Sequence, residues 1–275
     1  MKVDLHCHTD ASDGVLTPLD LLSRARANSV DLLAITDHDT VKGLQLLTKL
    51  DTGPVRLING IEFSCHWQNK EIHVVGLNFE LEEPKLVKFI QSQQELRKQR
   101  AIRIGEKLEK IGYINTYSAA CINGKTESPG RPHFAEVLVQ MGVVSNQKKA
   151  FQRFLGDGKS GHCKHEWPNV SEIIQRIHAA GGKTVLAHPA RYQISDRQLE
   201  QMISDFAHLG GDAIEVISGR QNPLVTQKLA KLSIRHQLSA SVGSDFHRPG
   251  QPWADLGCCV PLPSQCTSIW ADWIA

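Results

Sequence analysis

Apolar residues in this chain gather into short runs separated by longer amphipathic stretches. Runs rich in Val, Ile, Leu and Ala at residues 3–5, 32–35, 55–58, 72–77, 184–187, 213–217 and 239–242 read as β-strands. The stretches between them carry helix start and stop signals. Thr17 followed by Pro18 is an N-cap with proline at the first helical position, and it opens a helix over residues 18–28. Residues 41–50 form a second helical candidate. Residues 170–180 and 198–209 each run into a glycine pair, Gly181-Gly182 and Gly210-Gly211, of the kind that stops a helix. This alternation predicts an α/β fold with mostly parallel strands.

The rhythm breaks between Glu82 and Trp167, where no strand is legible and the sequence turns helical and basic. Within QSQQELRKQRAIRIGEKLEKIG, the residues Leu96, Ile102, Ile104, Leu108 and Ile111 predict the apolar face of an amphipathic helix. Two shorter helical candidates follow, in SPGRPHFAEVLVQMG and NQKKAFQRFLGDGKSG. The expected layout is one α/β barrel built from residues 1–95 and 168–275, interrupted by a helical insertion domain over residues 96–167.

With 41% hydrophobic and 22% charged residues, the 275-residue chain can bury a sizeable core. Its net charge of +2 argues against a general polyanion-binding surface and leaves room for a local basic pocket. No apolar run approaches the ~18 residues of a membrane span. The N-terminal MKVDLHCHTD brings acid and histidine at once, unlike a secretion signal, and the seven cysteines read as free thiols. A cytoplasmic protein with no membrane association and no obligate protein partner is expected. The outlier is histidine, present thirteen times.

Six of the thirteen histidines and several carboxylates fall on these strands or at their ends. His6, His8 and Asp13 follow the first strand, in DLHCHTDASD, and Asp37 and His38 follow the second, in ITDHD. Glu62 follows the third, His73 lies within the fourth, His188 ends the fifth, and Asp245 and His247 follow the seventh. In a parallel barrel, residues after different strands converge on one rim, so a barrel is preferred over an open sheet, with His73 as an exception that must point inward. His-x-His and Asp-x-His on extended backbone place both side chains on one face. Imidazole and carboxylate together are the donor set for Mn, Zn or Fe, and a carboxylate such as Glu62 can bridge two ions.

These motifs, DLHCHTDASDG, ITDHDT, GIEFS, IHVVG, AHP and GSDFH in that order, resemble the PHP (polymerase and histidinol phosphatase) family of metallo-phosphoesterases. The resemblance implies a distorted (β/α)7 barrel with two or three divalent transition metals on its rim, Mn2+ first and Zn2+ or Fe2+ as alternatives. It implies a first metal held by His6, His8, Glu62 and Asp245, a second by Glu62, His73 and His188, and a third by Asp13, His38 and His247. The insertion bearing GRPHFA, with HPARY and SGRQNP, is similar to the nucleoside 3′,5′-bisphosphate phosphatases that also act as 5′→3′ exoribonucleases on short 5′-phosphorylated RNA. The partners implied are a small nucleotide and short RNA.

Arg131 and His133 flank Pro132 at the expected start of a helix, where free N–H groups and a guanidinium suit a phosphate. Arg191 and Arg248, each close behind a ligand motif, are further substrate-binding candidates, and Arg220 is a weaker one. The expected chemistry is metal-assisted phosphoester hydrolysis with Glu62, His188 and Arg131 as catalytic residues. The alternatives are a histidinol-phosphate phosphatase or another phosphomonoesterase of the same family, and a metal-dependent binding module. GHCKH, with His162, Cys163 and His165, imitates a zinc site but lacks a second pair at finger-like spacing.

Overall fold

The computed structural model describes residues 1–164 and 167–273, so His165 of the GHCKH run lies outside the described residues. Seven strands form one sheet in sequence order: β1 (Val3–Asp4), β2 (Leu32–Ile35), β3 (Arg56–Trp67), β4 (Lys70–Leu77), β5 (Lys183–Leu186), β6 (Ala213–Ser218) and β7 (Ser239–Gly243). The ends of the sheet meet. Leu5 N–H donates to Val242 O at 3.0 Å, Asp245 N–H to His6 O at 2.8 Å, and His8 N–H to Phe246 O at 2.9 Å. The sheet thus curls into a nearly closed seven-stranded barrel.

One expectation about the strands is corrected. β4 runs antiparallel to both β3 and β5, while the other pairs are parallel. The third strand is also much longer than residues 55–58, and it turns back through Gln68 and Asn69, pairing Trp67 with Lys70. Gln68 takes a left-handed backbone (φ 52°), which lets two residues reverse the chain. The reversal explains His73. Because β4 starts where its neighbours end, a residue early in β4 already stands at the active rim, and His73 O accepts from Ala187 N–H just beyond β5.

Helices cover the barrel where their end signals predicted. α1 (Pro18–Ala27) is capped by Thr17, whose hydroxyl accepts from Asp20 N–H. The second helical stretch is shorter than residues 41–50: α2 spans Lys42–Gln45. After the insertion come α7 (Val170–Ala179), α8 (Asp196–His208) and α9 (Pro223–Arg235), and Gly181 and Gly210 take left-handed turns after α7 and α8.

α3 (Pro84–Glu109) is one continuous helix of 26 residues, so residue 96 falls within it rather than at its start. Its buried stripe also differs from the expected one. Ile104 and Leu108 are buried, but Ile102 and Ile111 are exposed, and the stripe is completed by Leu86, Phe89, Ile90, Gln93 and Arg100. Two polar residues belong there because the barrel offers partners. Gln93 donates to Ser64 O at 3.1 Å, and Arg100 pairs with Glu71 at 2.8 Å. The second half of α3 packs with α4 (Thr116–Gly124), α5 (Arg131–Gln140) and α6 (Gln147–Ala150) around a core of its own, including Leu108, Phe134, Leu138 and Leu155.

Candidate metal centre and substrate clefts

His6, Cys7 and His8 leave β1 in extended backbone. The two imidazoles point into the barrel mouth, while Cys7 points outward into a cluster with Leu21, Leu33 and Phe246, its thiol donating to Ala34 O at 3.2 Å. Asp37 organises the loop that carries Asp13. It accepts from Thr9 N–H at 2.8 Å, from the Thr9 hydroxyl at 2.6 Å and from the Ser12 hydroxyl at 2.6 Å.

Glu62 is fully buried at the centre of the cluster. Its Oε2 lies 3.3 Å from Nε2 of both His6 and His8, and Asp245 Oδ1 lies 3.5 and 3.3 Å from the same two nitrogens. Two ligands ~2.1 Å from a tetrahedral ion stand about 3.4 Å apart, so these four atoms have the spacing of one coordination shell. Glu62 Oε1 faces the other way, 2.9 Å from His73 Nδ1 and 3.0 Å from His188 Nε2. A third group forms around Asp13, with His247 Nε2 at 3.4 Å, His38 Nε2 at 3.7 Å and His8 Nδ1 at 3.7 Å. His38 also reaches back, its Nδ1 3.0 Å from Glu62 Oε2. All nine predicted ligands are therefore brought together, and Asp13, His8 and His38 link the third group to the first two.

The atoms in these groups fit a cation better than they fit one another. His6 Nε2, both ring nitrogens of His8, Asp13 Oδ1, His38 Nδ1 and Glu62 Oε2 are buried without a hydrogen bond of proper geometry. Such orphans each cost roughly 1–3 kcal/mol or more, which bound divalent ions would offset. Burial works to raise the Glu62 pKa, yet His38, His6, His73 and His188 hold it well below the usual carboxylate range. Burial works to lower the His8 pKa, yet the carboxylates of Asp245 and Glu62, each 3.3 Å from Nε2, push it up to about 10. His188 (φ 29°) and Asp245 (φ 54°) hold left-handed backbone, at roughly 1–3 kcal/mol each, to aim their side chains.

Two clefts flank the cluster. The first lies between barrel and insertion and is lined by Ser12, Asp13, His38, Arg97, Ser128 and Gly130. The second, about 480 Å3, is lined by Asp13, Asp245 and His247 together with Arg191, Arg220 and Arg248. Arg191 is ion-paired with Asp245, and Arg248 lies on the wall with no carboxylate partner among the described residues. Arg131 opens α5, and its guanidinium is turned towards Glu71 at 3.5 Å and Asp157 at 3.8 Å, while its neighbours Gly130 and Pro132 line the two clefts. His133 is buried and closes the start of its own helix, Nδ1 accepting from Gly130 N–H at 3.0 Å. His162 and Cys163 join no metal-type cluster among the described residues.

Three further residues at the site are not singled out by the sequence. Glu215, a lone acid in the apolar run AIEVIS, stands behind His6 and His188, and that isolation was a usable signal. Arg97, which nothing in the sequence singles out, is paired to Asp39 at 2.9 Å and faces the first cleft. Glu71, two residues before His73 on the same face of β4, anchors Arg100 and Arg131 of the insertion.

Comparison with known proteins follows the same lines. The chain is 43% identical over 271 residues to a 5′-3′ exoribonuclease of Haemophilus influenzae, covering 98% of each. It is 38% identical to a 3′,5′-nucleoside bisphosphate phosphatase of Chromobacterium violaceum, covering 98% of this chain and 96% of that protein. Among solved structures, an amidohydrolase from Chromobacterium violaceum, with bound sulfate and no metal, superposes with a TM-score of 0.90 at 38% identity, over 98% of this chain and 95% of that one. The PHP domain family model matches residues 4–184, and the chain belongs to the PHP domain family.

Proposed function

We propose that this protein is a phosphoester hydrolase that removes the 3′-phosphate of nucleoside 3′,5′-bisphosphates, giving AMP and phosphate from adenosine 3′,5′-bisphosphate, and degrades short 5′-phosphorylated RNA in the 5′→3′ direction. The carrying observation is Glu62, whose two oxygens each face a separate histidine set between two clefts, the second of them lined by three arginines. The similarity to an exoribonuclease and a bisphosphate phosphatase over nearly the whole chain supports the same reading.

In this reading His6, His8, Glu62 and Asp245 hold one divalent ion, Glu62, His73 and His188 a second, and Asp13, His38 and His247 a third, with Mn2+ first and Zn2+ or Fe2+ compatible with the donors. Bound there, the ions would supply Lewis-acid stabilisation of phosphate oxygens and acidify an attacking water. The protein's own residues do the rest. Glu62 sets the spacing of the two sites, Glu215 fixes the His6 ring, and Asp37 fixes the loop of Asp13. The first cleft is narrow at the cluster, about 10 Å3, but shares Gln94, Thr126 and Ser128 with a pocket of about 910 Å3 between barrel and insertion, and the two together take the 5′-terminal nucleotide. Arg131 leaves Glu71 and Asp157 for the substrate phosphate, and His133 holds the turn that carries it. Arg191 and Arg248 bind phosphate from the second cleft. No described helix is long and apolar enough to cross a membrane, and cytoplasmic nucleotides and RNA are the proposed substrates.

The test compares kcat/KM on adenosine 3′,5′-bisphosphate, histidinol phosphate and short 5′-phosphorylated RNA with manganese added. A preference for the nucleotide and RNA is expected. A preference for histidinol phosphate would overturn the substrate assignment, and no hydrolysis of any of them would favour a binding module.

A further inference from the structure

Trp253 is the largest exposed aromatic residue in the described chain, 58% exposed, and it stands on the wall of the second cleft. Its placement is not that of a loose surface residue. Trp253 O accepts from Arg220 N–H at 2.7 Å, tying its backbone to the loop after β6. Gly219 permits this approach: it takes φ 58°, and a Cβ there would lie 2.4 Å from Trp253 O. Just after Trp253, Ala254 and Leu256 are buried, and Ala254 N–H closes a turn to Gln251 O. The loop is anchored from below while the indole is left in solvent, an arrangement that costs hydrophobic burial unless something stacks on it.

The surroundings specify the chemistry of that partner. Arg220 and Arg248 line the same cleft, and neither has a carboxylate partner among the described residues. Asp13, Asp245 and His247 form the inner end of the cleft, so it opens directly from the metal cluster. An exposed aromatic face beside free guanidinium groups is the pairing that holds single-stranded nucleic acid, with the base stacked and its phosphate neutralised. The volume of about 480 Å3 suits a ligand of nucleotide size.

The direction follows from the two clefts. Both share Asp13, so the cluster lies between them. The first cleft, narrow at the cluster, leads into the pocket of about 910 Å3 between barrel and insertion and is assigned the chain end, which leaves the second, itself of nucleotide size, for the chain to continue. We infer that Trp253, with Arg220 and Arg248, forms the subsite for the nucleotide on the 3′ side of the scissile phosphate of an RNA substrate. This inference rests on the nucleotide reading above and adds the path of the RNA.

A 3′,5′-bisphosphate has no nucleotide on that side, which makes the test selective. The kcat/KM of wild type, Trp253→Ala and Trp253→Phe would be measured on adenosine 3′,5′-bisphosphate and on a 5′-phosphorylated adenosine trinucleotide. Trp253→Ala should lose about tenfold or more on the trinucleotide, as removal of a stacking platform does. It should keep its rate on the bisphosphate, and Trp253→Phe should recover most of the loss. An unchanged trinucleotide rate, or an equal fall on both substrates, would overturn the subsite. A wild-type protein inactive on both would instead overturn the nucleotide reading itself, and the subsite with it.

Discussion

Glu215 Oε2 lies 3.2 Å from Nδ1 of His6, on the far side of the ring from Glu62. The same oxygen accepts from His188 N–H at 2.7 Å, so one buried carboxylate orients two candidate ligands from different parts of the cluster. A carboxylate behind a ligating imidazole fixes its tautomer and leaves Nε2 unprotonated for the ion. Gly243 is required for this packing, because a Cβ there would come within 2.2 Å of His6 Cβ.

Glu215→Ala should therefore weaken metal binding by about 10- to 100-fold without touching a ligand. Chelator competition followed by elemental analysis measures this directly. Retention of wild-type affinity would remove Glu215 from the support of the site.

Glu62→Gln should damage turnover and metal content more than the loss of any single histidine, since both of its oxygens face ligand sets. Metal equivalents per chain and kcat would be compared with those of His6→Ala and His73→Ala. Near-normal turnover in Glu62→Gln would rule out a bridging role.

Arg131 lies outside the metal cluster, so Arg131→Ala should leave metal content unchanged. Loss of a charge-assisted contact with phosphate is worth about 1.5–3 kcal/mol, or roughly ten- to a few-hundred-fold in kcat/KM on nucleotides. A small activated aryl phosphate should suffer less. Equal loss on both would mean that Arg131 acts on the transferred phosphate itself, and no loss on either would exclude it from substrate binding.

Stability should depend on pH through Asp212, far from the metal cluster at the base of β5. Burial works to raise its pKa, but His178, Lys183 and two donors of Thr184 outweigh burial and hold it below the usual value. A depressed carboxylate pKa adds stability that is present above the unfolded value and is lost as pH falls through the folded one. Asp212→Asn should cost about 1–3 kcal/mol at neutral pH, and the gap to wild type should narrow below about pH 4. Urea midpoints of both proteins between pH 3 and 7 provide the check, and a gap independent of pH would contradict the assignment.

The spacing of His6 and His8, of Asp245 and His247, and the positions of Asp13, His38, Glu62, His73 and His188 were legible because strand alternation and strand ends are local properties of the chain. So were the caps at Thr17 and the stops at Gly181 and Gly210, each of which acts over one helical turn. Strand direction was different. Gln68-Asn69 carries only a weak hairpin signal, and the antiparallel run of β4 is settled by its pairing with β3 and β5. The buried face of α3 was likewise decided from outside the helix. Gln93 and Arg100 look like surface residues until Ser64 and Glu71 of the barrel arrive to satisfy them. The sequence by itself determined which histidines and carboxylates stand on the barrel rim. Only the tertiary structure decided which carboxylate stands behind which histidine, and where the two clefts open, because those contacts join residues as distant in the chain as His6 and Glu215.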